Sequence, residues 1–121
     1  MPILEIELVL RPHESVHADL AARFARSAGE VFGGPAGRTW VRLTRLPGGD
    51  YAEDGPHPEI FPVFVRVLKA ERASGEDLRA EAHALAHAIA KDCGRPPGMV
   101  HVLYEEGAKG RLVFGGDVLV E

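Results

Sequence analysis

The chain has 121 residues, 45% of them hydrophobic and 26% charged, which is the balance of an ordinary globular protein of one domain. Its 14 Lys and Arg are outnumbered by 18 Asp and Glu, and no basic run occurs, so the net charge of -4 argues against nucleic acid as a partner. No apolar stretch approaches the roughly 20 residues of a membrane helix, and the N-terminus lacks the features of a signal peptide. The single cysteine, Cys93, excludes an internal disulfide. We therefore expect a cytoplasmic protein with no membrane partner.

The first half of the chain predicts a strand, a helix and a second strand. Residues 3–10 alternate apolar and polar side chains, which is typical of a strand buried on one face. Apolar residues at helical spacing predict a helix over 15–32, which Gly33-Gly34-Pro35 ends. Residues 39–46 alternate again and predict a second strand.

The second half repeats this order after a loop over 47–60 that is rich in Pro, Gly and Asp. We predict a strand over 63–68, a helix capped by Ser74 that stops near Cys93-Gly94, and a strand over 99–104. A glycine-broken tail leads to a last short strand at 117–120.

The two halves share several landmarks, which indicates one βαβ unit written twice. Shifting the second half so that Arg72 falls on Arg11 superposes Leu85 on Phe24, Pro96 on Pro35 and, after a two-residue gap is closed, His101 on Arg42. We interpret the chain as one domain, 1–121, with pseudo-repeats of about 2–46 and 61–120. The alternative is that any two βαβ units share such landmarks by class.

Two βαβ units predict an α+β fold, with a four-stranded mixed sheet and both helices on one face. A ferredoxin-like sandwich is the main alternative, but it joins its middle strands by a short turn, and the loop over 47–60 is long. In either fold the second sheet face needs a partner. That face would mix apolar and charged side chains, which is typical of an oligomer contact with polar sites set into it; its polar and aromatic members would be Glu5, Glu7, Trp40, Arg42, Arg66 and His101.

Pro2 is the strongest chemical feature of the sequence. Removal of the initiator Met would leave it as a free secondary amine at the start of a rigid strand. An α-amino group titrates near pKa ~8, and an apolar pocket or nearby cations lower that value. A neutral amine is a competent general base, although many chains begin Met-Pro with no catalytic role. Pro62 also begins a strand, but its nitrogen lies within an amide, so only the first half can carry this chemistry.

Four cationic or titratable residues are candidates for binding an anion. Arg11 and Arg72 occupy equivalent junctions between strand and helix, where a cation can face a carboxylate. Arg42 and His101 lie mid-strand on the face away from the helices. A charge there requires a partner such as Glu5 or Glu7, or a position facing a cleft. Solvated or structurally paired side chains are the alternatives.

Two other motifs have plainer interpretations. His83 and His87 have the spacing of zinc ligands, but Ala84 stands where an HExxH site carries glutamate, and no third ligand is evident. We therefore expect exposed helix residues. Cys93 at a helix end is expected to be a small buried hydrophobe.

The opening Pro2-Ile3-Leu4-Glu5-Ile6 resembles the start of tautomerase superfamily members, which use an N-terminal proline. Val100-His101-Val102 followed by Ala108-Lys109-Gly110 and Gly115-Gly116 resembles the end of 4-oxalocrotonate tautomerase, where a V-R-V-type strand precedes an A-K-G…G-G hairpin. The resemblance covers nearly all the chain as two fused units. It implies the fold also found in macrophage migration inhibitory factor, a homotrimer with sites between subunits, and no cofactor or metal.

The resemblance also implies roles for individual residues. Pro2 would be the general base that moves a proton in a small enol or 2-hydroxydienoate carboxylate. His101 stands where relatives have an arginine or tyrosine that binds or polarises the substrate, and Leu112 where the short tautomerases have a phenylalanine. The predicted site is catalytic Pro2, substrate-binding Arg72, His101, Arg11 and Arg42, and a pocket wall of Leu112 and Phe114.

Two alternatives stay open. A dehalogenase, hydratase or decarboxylase of a three-carbon acid would need protonated Pro2 as an acid and a carboxylate such as Glu106 to activate water, although Glu106 is equally compatible with a solvated loop. A non-enzymatic trimeric binding module is the other alternative.

Overall fold

The structure is a computed structural model that describes residues 2–55 and 59–120. Its main elements follow in chain order: β1 Ile3–Leu10, α1 Leu20–Phe32, β2 Trp40–Pro47, β3 Val63–Leu68, α2 Gly75–Cys93, β4 Val100–Tyr104, β5 Val113–Phe114 and β6 Val118–Leu119. Short 3-10 turns at Gly48–Asp50 and Pro97–Met99 follow β2 and precede β4. The residue pattern predicts only the second strand of the final hairpin; β5, its first strand, is implied only by the resemblance to the A-K-G…G-G hairpin.

The four long strands form one mixed sheet in the order β2-β1-β3-β4. β1 is parallel to β2, β3 is parallel to β4, and the two pairs meet through antiparallel β1 and β3. The predicted α+β architecture is confirmed. The ferredoxin-like alternative is excluded, because that fold separates the two strands of each βαβ unit by another strand, whereas here they are neighbours.

The two βαβ units have the same internal register, which corrects one equivalence drawn from the sequence. Glu5 lies beside Arg42, which is 37 residues further along the chain, and the same spacing separates Val63 from its partner Val100. No gap is therefore needed between the repeats. The shift that carries Arg11 onto Arg72 carries Trp40 onto His101, so the predicted equivalence of His101 with Arg42 is wrong.

The core lies between the sheet and the two helices, both of which cover the same face. β1 and β3 direct alternate side chains into it, and each helix contributes one apolar stripe; the largest fully buried residues include Leu4, Ile6, Leu8, Phe24, Val65, Leu85 and Ile89. Each such side chain stabilises the fold by about 1.5–3 kcal/mol relative to an exposed one. The other sheet face carries no element over its centre, and it leaves Trp40 43% and Leu103 56% exposed.

The first helix begins five residues later than the apolar spacing predicts. His13 has a left-handed backbone with φ of 61°, which interrupts helical geometry. The backbone N–H of Arg11 donates to Glu14 Oε1 at 2.9 Å, so the segment turns before α1 starts at Leu20. Val16 still packs against the core from this turn. Val16 is therefore buried by tertiary packing of a turn, although its spacing predicts a helix.

The second helix has the predicted ends. Ser74 is at the N-cap, although its side chain makes no capping hydrogen bond, and Gly94 ends the helix with a left-handed φ of 67°. Glu76 and Asp77 lie in the first turn and Lys91 in the last, which complements the helix dipole. Within the described part of the chain, neither helix is long and apolar enough to cross a membrane.

Gly48 is required by a close approach of two backbone segments. A Cβ at Gly48 would lie 2.6 Å from the carbonyl oxygen of Leu10, whereas a Cβ at Gly49 would meet nothing within 4 Å. We expect Gly48→Ala to lower the free energy of unfolding by about 1–3 kcal/mol, because the backbone must shift to accept a methyl group. Gly49→Ala is the matched control and should change it by less than about 0.5 kcal/mol. Equal denaturation midpoints for the two variants would contradict this prediction.

Candidate active site at the start of β1

Pro2 is buried and directly precedes β1. Its carbonyl oxygen accepts a hydrogen bond of 3.0 Å from the backbone N–H of Trp40, which ties it to the start of β2. Because β3 runs antiparallel to β1, its last residue, Leu68, lies beside Ile3. The loops that follow β3 and β4 therefore lie at the same end of the sheet as Pro2.

The β5–β6 hairpin packs against this end. The rings of Phe114 and Trp40 pack in a T-shaped arrangement with centroids 5.1 Å apart. The hairpin is closed by the N–H of Val120 donating to the Leu112 carbonyl at 2.8 Å. Phe114 therefore contacts Trp40, the residue of β2 whose backbone N–H bonds the Pro2 carbonyl.

A cleft of about 380 Å³ opens beside Ile3, the residue that follows Pro2. This volume is within the range of small-molecule sites. Three guanidinium groups and two carboxylates line it together with two apolar residues; the lining is Ile3, Glu5, Arg42, Arg66, Leu68, Glu105 and Arg111. The excess of cations in an acidic protein makes this cleft suited to an anion.

Two of the three arginines in the cleft are paired with carboxylates. Arg42 Nη1 lies 2.8 Å from Glu5 Oε1, and Glu5 is one of the two partners, with Glu7, that the sequence offers for this mid-strand charge. Arg66 Nη2 lies 2.8 Å from Glu105 Oε1. Arg111 instead donates from Nε to the Gly107 carbonyl at 3.0 Å and from Nη2 to the Glu106 carbonyl at 2.9 Å.

Arg72 also lies at the Pro2 end, in the loop after β3. Its Nη2 is 3.6 Å from Glu106 Oε1, whose side chain is 84% exposed. Lys109 approaches Glu71 in the same region at 3.2 Å. The structure therefore brings Arg72 and Arg42 to the end of the sheet that holds Pro2.

Arg11 and His101 are not close to Pro2 within one chain. Arg11 follows the far end of β1, and a strand rise of about 3.3 Å per residue puts it on the order of 30 Å away. Its guanidinium contacts Glu14 and the Gly94 carbonyl. His101 lies beside Phe64, and their rings are 5.6 Å apart. Phe64 lies beside Glu7, which is four residues along β1 from Ile3, so His101 is displaced from Ile3 by about 13 Å along the strands.

Arg95 occupies the opposite end of the sheet, where Pro62 precedes β3. Its side chain is 1% exposed and makes a two-pronged ion pair with Glu14, at 2.7 and 2.8 Å. It also donates to the carbonyls of Phe61, Val9 and Cys93. The hydrogen bond from Arg95 holds the pKa of Glu14 below its usual value.

A second polar network braces α2 against β4. The Tyr104 hydroxyl donates to Glu81 at 2.8 Å, and Lys69 Nζ approaches the other oxygen of Glu81 at 2.8 Å. Burial and the bond to Glu81 raise the pKa of Tyr104 well above its usual value, so the phenol stays protonated. Lys69 also lies over the Phe32 ring at 5.0 Å.

His83 and His87 are exposed neighbours on α2, their rings 4.1 Å apart. Among the described residues, no group of three or more His, Cys, Asp or Glu side chains could hold a metal ion. Cys93 is half-buried rather than fully buried; burial raises the pKa of its thiol, and its Sγ donates to the Ile89 carbonyl. The raised pKa disfavours the nucleophilic thiolate form.

Arg66, Arg95 and Arg111 are not among the site residues that the sequence predicts. The alternation predicts the correct face for Arg66 but no role, and the tail that contains Arg111 predicts only Leu112 and Phe114 as site residues. Arg95 contacts groups that are distant in the chain, which no local spacing reports.

No protein-family model and no curated protein matches the chain. Solved structures match over nearly its whole length. Pt0534 inactivated by 2-oxo-3-pentynoate is 22% identical, with a TM-score of 0.75 and 97% of this chain and 94% of that chain covered. FG41 malonate semialdehyde decarboxylase inhibited by 3-bromopropiolate is 18% identical, with a TM-score of 0.70 and coverage of 93% and 88%. The symmetric trimer of Q0 fused 4-OT is 14% identical, with a TM-score of 0.72 and coverage of 97% and 94%.

These likenesses are of fold, since all three identities are low. They agree with the resemblance that the sequence carries at its two ends.

Proposed function

We propose that this chain, which has the fold of the tautomerase superfamily, is an isomerase that moves a proton in a small enol or 2-hydroxydienoate carboxylate without a cofactor. Members of that superfamily are tautomerases, dehalogenases or decarboxylases. The observation that carries the proposal is the position of Pro2. It is buried at the start of β1, beside a cleft of about 380 Å³ that three guanidinium groups line.

The proposed reaction is a proton transfer with Pro2 as general base. The neutral amine accepts the proton of the substrate 2-hydroxyl, and the electron pair moves through the carbon chain as the carbonyl forms. The protonated amine then returns its proton to carbon, so the base is regenerated. Guanidinium groups near Pro2 would hold the carboxylate and stabilise the developing oxyanion, a contribution that is large in a site shielded from water.

The predicted site residues divide into two groups under this proposal. Arg72 and Arg42 would act from the same chain as Pro2, with Leu112 and Phe114 as the pocket wall. Arg11 and His101 could reach a Pro2 site only from a neighbouring subunit, because both lie far from Pro2 within one chain.

We propose a homotrimer on these grounds. The sheet face without helices exposes Trp40 and Leu103 beside charged side chains, and a mixed face of this kind is typical of an oligomer contact. A structure of the same fold, Q0 fused 4-OT, is a symmetric trimer. The net negative charge argues against nucleic acid or a membrane as a partner. The local arginines of the cleft favour a small anionic substrate. The single cysteine favours a cytoplasmic location.

Each chain is proposed to carry one active site. The nitrogen of Pro62 is part of a peptide bond and cannot act as a base. The buried Arg95–Glu14 ion pair fills the end of the sheet next to Pro62.

Mass spectrometry and an enol assay test the proposal together. We expect an intact mass that lacks Met1 and catalysed ketonisation of phenylenolpyruvate, measured by loss of enol absorbance. We also expect 2-oxo-3-pentynoate, which inactivates Pt0534, to attach to Pro2 by addition of the amine to the alkyne. Peptide mapping locates the adduct. A retained Met1, or labelling at another residue, would count against Pro2 as the base.

Decarboxylation or hydrolytic dehalogenation of a three-carbon acid is the second candidate. The 3.6 Å approach of Arg72 to Glu106 favours it, since it places an exposed carboxylate able to activate water beside a cation able to bind an acid. Malonate semialdehyde decarboxylase shares the fold. This reaction needs Pro2 protonated. A non-enzymatic trimeric module would bind small acids without turning over either kind of substrate.

A further inference from the structure

We infer that Arg111 binds the substrate carboxylate and sets the specificity of the Pro2 site for acids; the inference rests on the proposed function. Arg111 lines the same cleft as Ile3, the residue next to Pro2.

Arg111 differs from the other cations of the cleft in what it contacts. Arg42 and Arg66 each face a carboxylate at 2.8 Å, which offsets their charge. Among residues 2–55 and 59–120, the hydrogen-bond partners of the Arg111 guanidinium are the carbonyls of Gly107 and Glu106. A guanidinium has five N–H donors, so these two bonds orient the group and leave its charge and further donors for a ligand.

The loop that orients Arg111 is itself fixed. The N–H groups of Ala108 and Lys109 donate to the carbonyls of Lys69 and Ala70 at 2.8 and 3.1 Å. A Cβ at Gly107 would lie 2.7 Å from the Ala70 carbonyl oxygen, so the two backbone segments are closer there than a residue with a side chain accepts. A cation held on such a loop loses little freedom when it binds an anion.

Kinetics with an acid and its ester test this role. In Arg111→Gln, we expect KM for phenylenolpyruvate to rise about 10- to 100-fold with kcat little changed, because a charge-assisted hydrogen bond to the carboxylate is lost. With the methyl ester of the same enol, the variant and the wild type should have similar KM. Arg79→Gln, an exposed change on α2, is the matched control and should alter neither.

Binding separates this inference from the proposed reaction. Calorimetry should show phenylpyruvate binding weakened by a similar factor in Arg111→Gln and only partly in Arg111→Lys, which retains the charge. Unchanged affinity in Arg111→Gln, or a wild type that does not bind phenylpyruvate, overturns the role of Arg111. Binding that depends on Arg111 in a wild type without turnover supports that role and overturns the isomerase. A loss equal for acid and ester indicates a purely structural residue.

Discussion

Glu14→Gln is expected to lower the free energy of unfolding by about 3–5 kcal/mol, because it leaves a buried guanidinium without its counter-charge. Arg95 is almost fully buried, and both of its Nη atoms bond the carboxylate of Glu14. The remaining bonds of Arg95 go to backbone carbonyls, which cannot replace a negative charge. Urea denaturation measures the loss. Glu76→Gln, which breaks an exposed ion pair of 3.8 Å, should cost less than about 1 kcal/mol.

The same pair predicts a pH dependence of stability. Since the native pKa of Glu14 is lowered by Arg95, its contribution is present above the unfolded value of 4.5 and is lost as the pH falls through the native pKa. The difference in stability between wild type and Glu14→Gln should therefore be largest near neutral pH and should narrow in acid. A difference that stays constant from pH 7 down to acid unfolding would contradict this account.

Much of the fold could be predicted because alternation and helical spacing report one-sided burial directly. β3 has the predicted bounds, and the predicted alternation in β1 identifies its buried face. Apolar spacing gave the wrong start for the first helix, because a residue can also be buried by a turn that packs on the core. Val16 packs on the core from a turn that Arg11, His13 and Glu14 create, and no periodicity separates such a residue from one in a helix.

A residue of the candidate site could be predicted only where the order of strands and helices along the chain determines which end of the sheet the residue lies at. Pro2 and Arg72 lie at one end of the sheet because the topology of two βαβ units places them there. Arg95 and Arg111 could not be found this way. Their described partners include backbone carbonyls, which every residue has, so no residue type at a fixed spacing marks the contact.

Pro2→Ala is expected to reduce kcat/KM for enol ketonisation by about 10²–10⁴, the range that a positioned general base supplies. Alanine still allows Met1 to be removed, so the variant replaces a secondary amine by a primary one whose position the ring no longer fixes. Pro62→Ala is the matched control, since Pro62 precedes a strand in the same way but its nitrogen is an amide. Activity in Pro2→Ala equal to that of Pro62→Ala would remove Pro2 from the mechanism.

The pH dependence of kcat/KM decides which role Pro2 has, provided that Pro2→Ala reduces activity as expected. An isomerase needs the amine deprotonated, so its activity should fall as the pH is lowered through the pKa of Pro2. A decarboxylase or dehalogenase needs the protonated amine and should lose activity as the pH is raised through the same value. Both reactions depend on the same Pro2 amine but need opposite protonation states. The sign of the slope of kcat/KM against pH therefore distinguishes the two reactions without knowledge of the physiological substrate. A slope unaffected by Pro2→Ala would assign it to another group and leave the base unidentified.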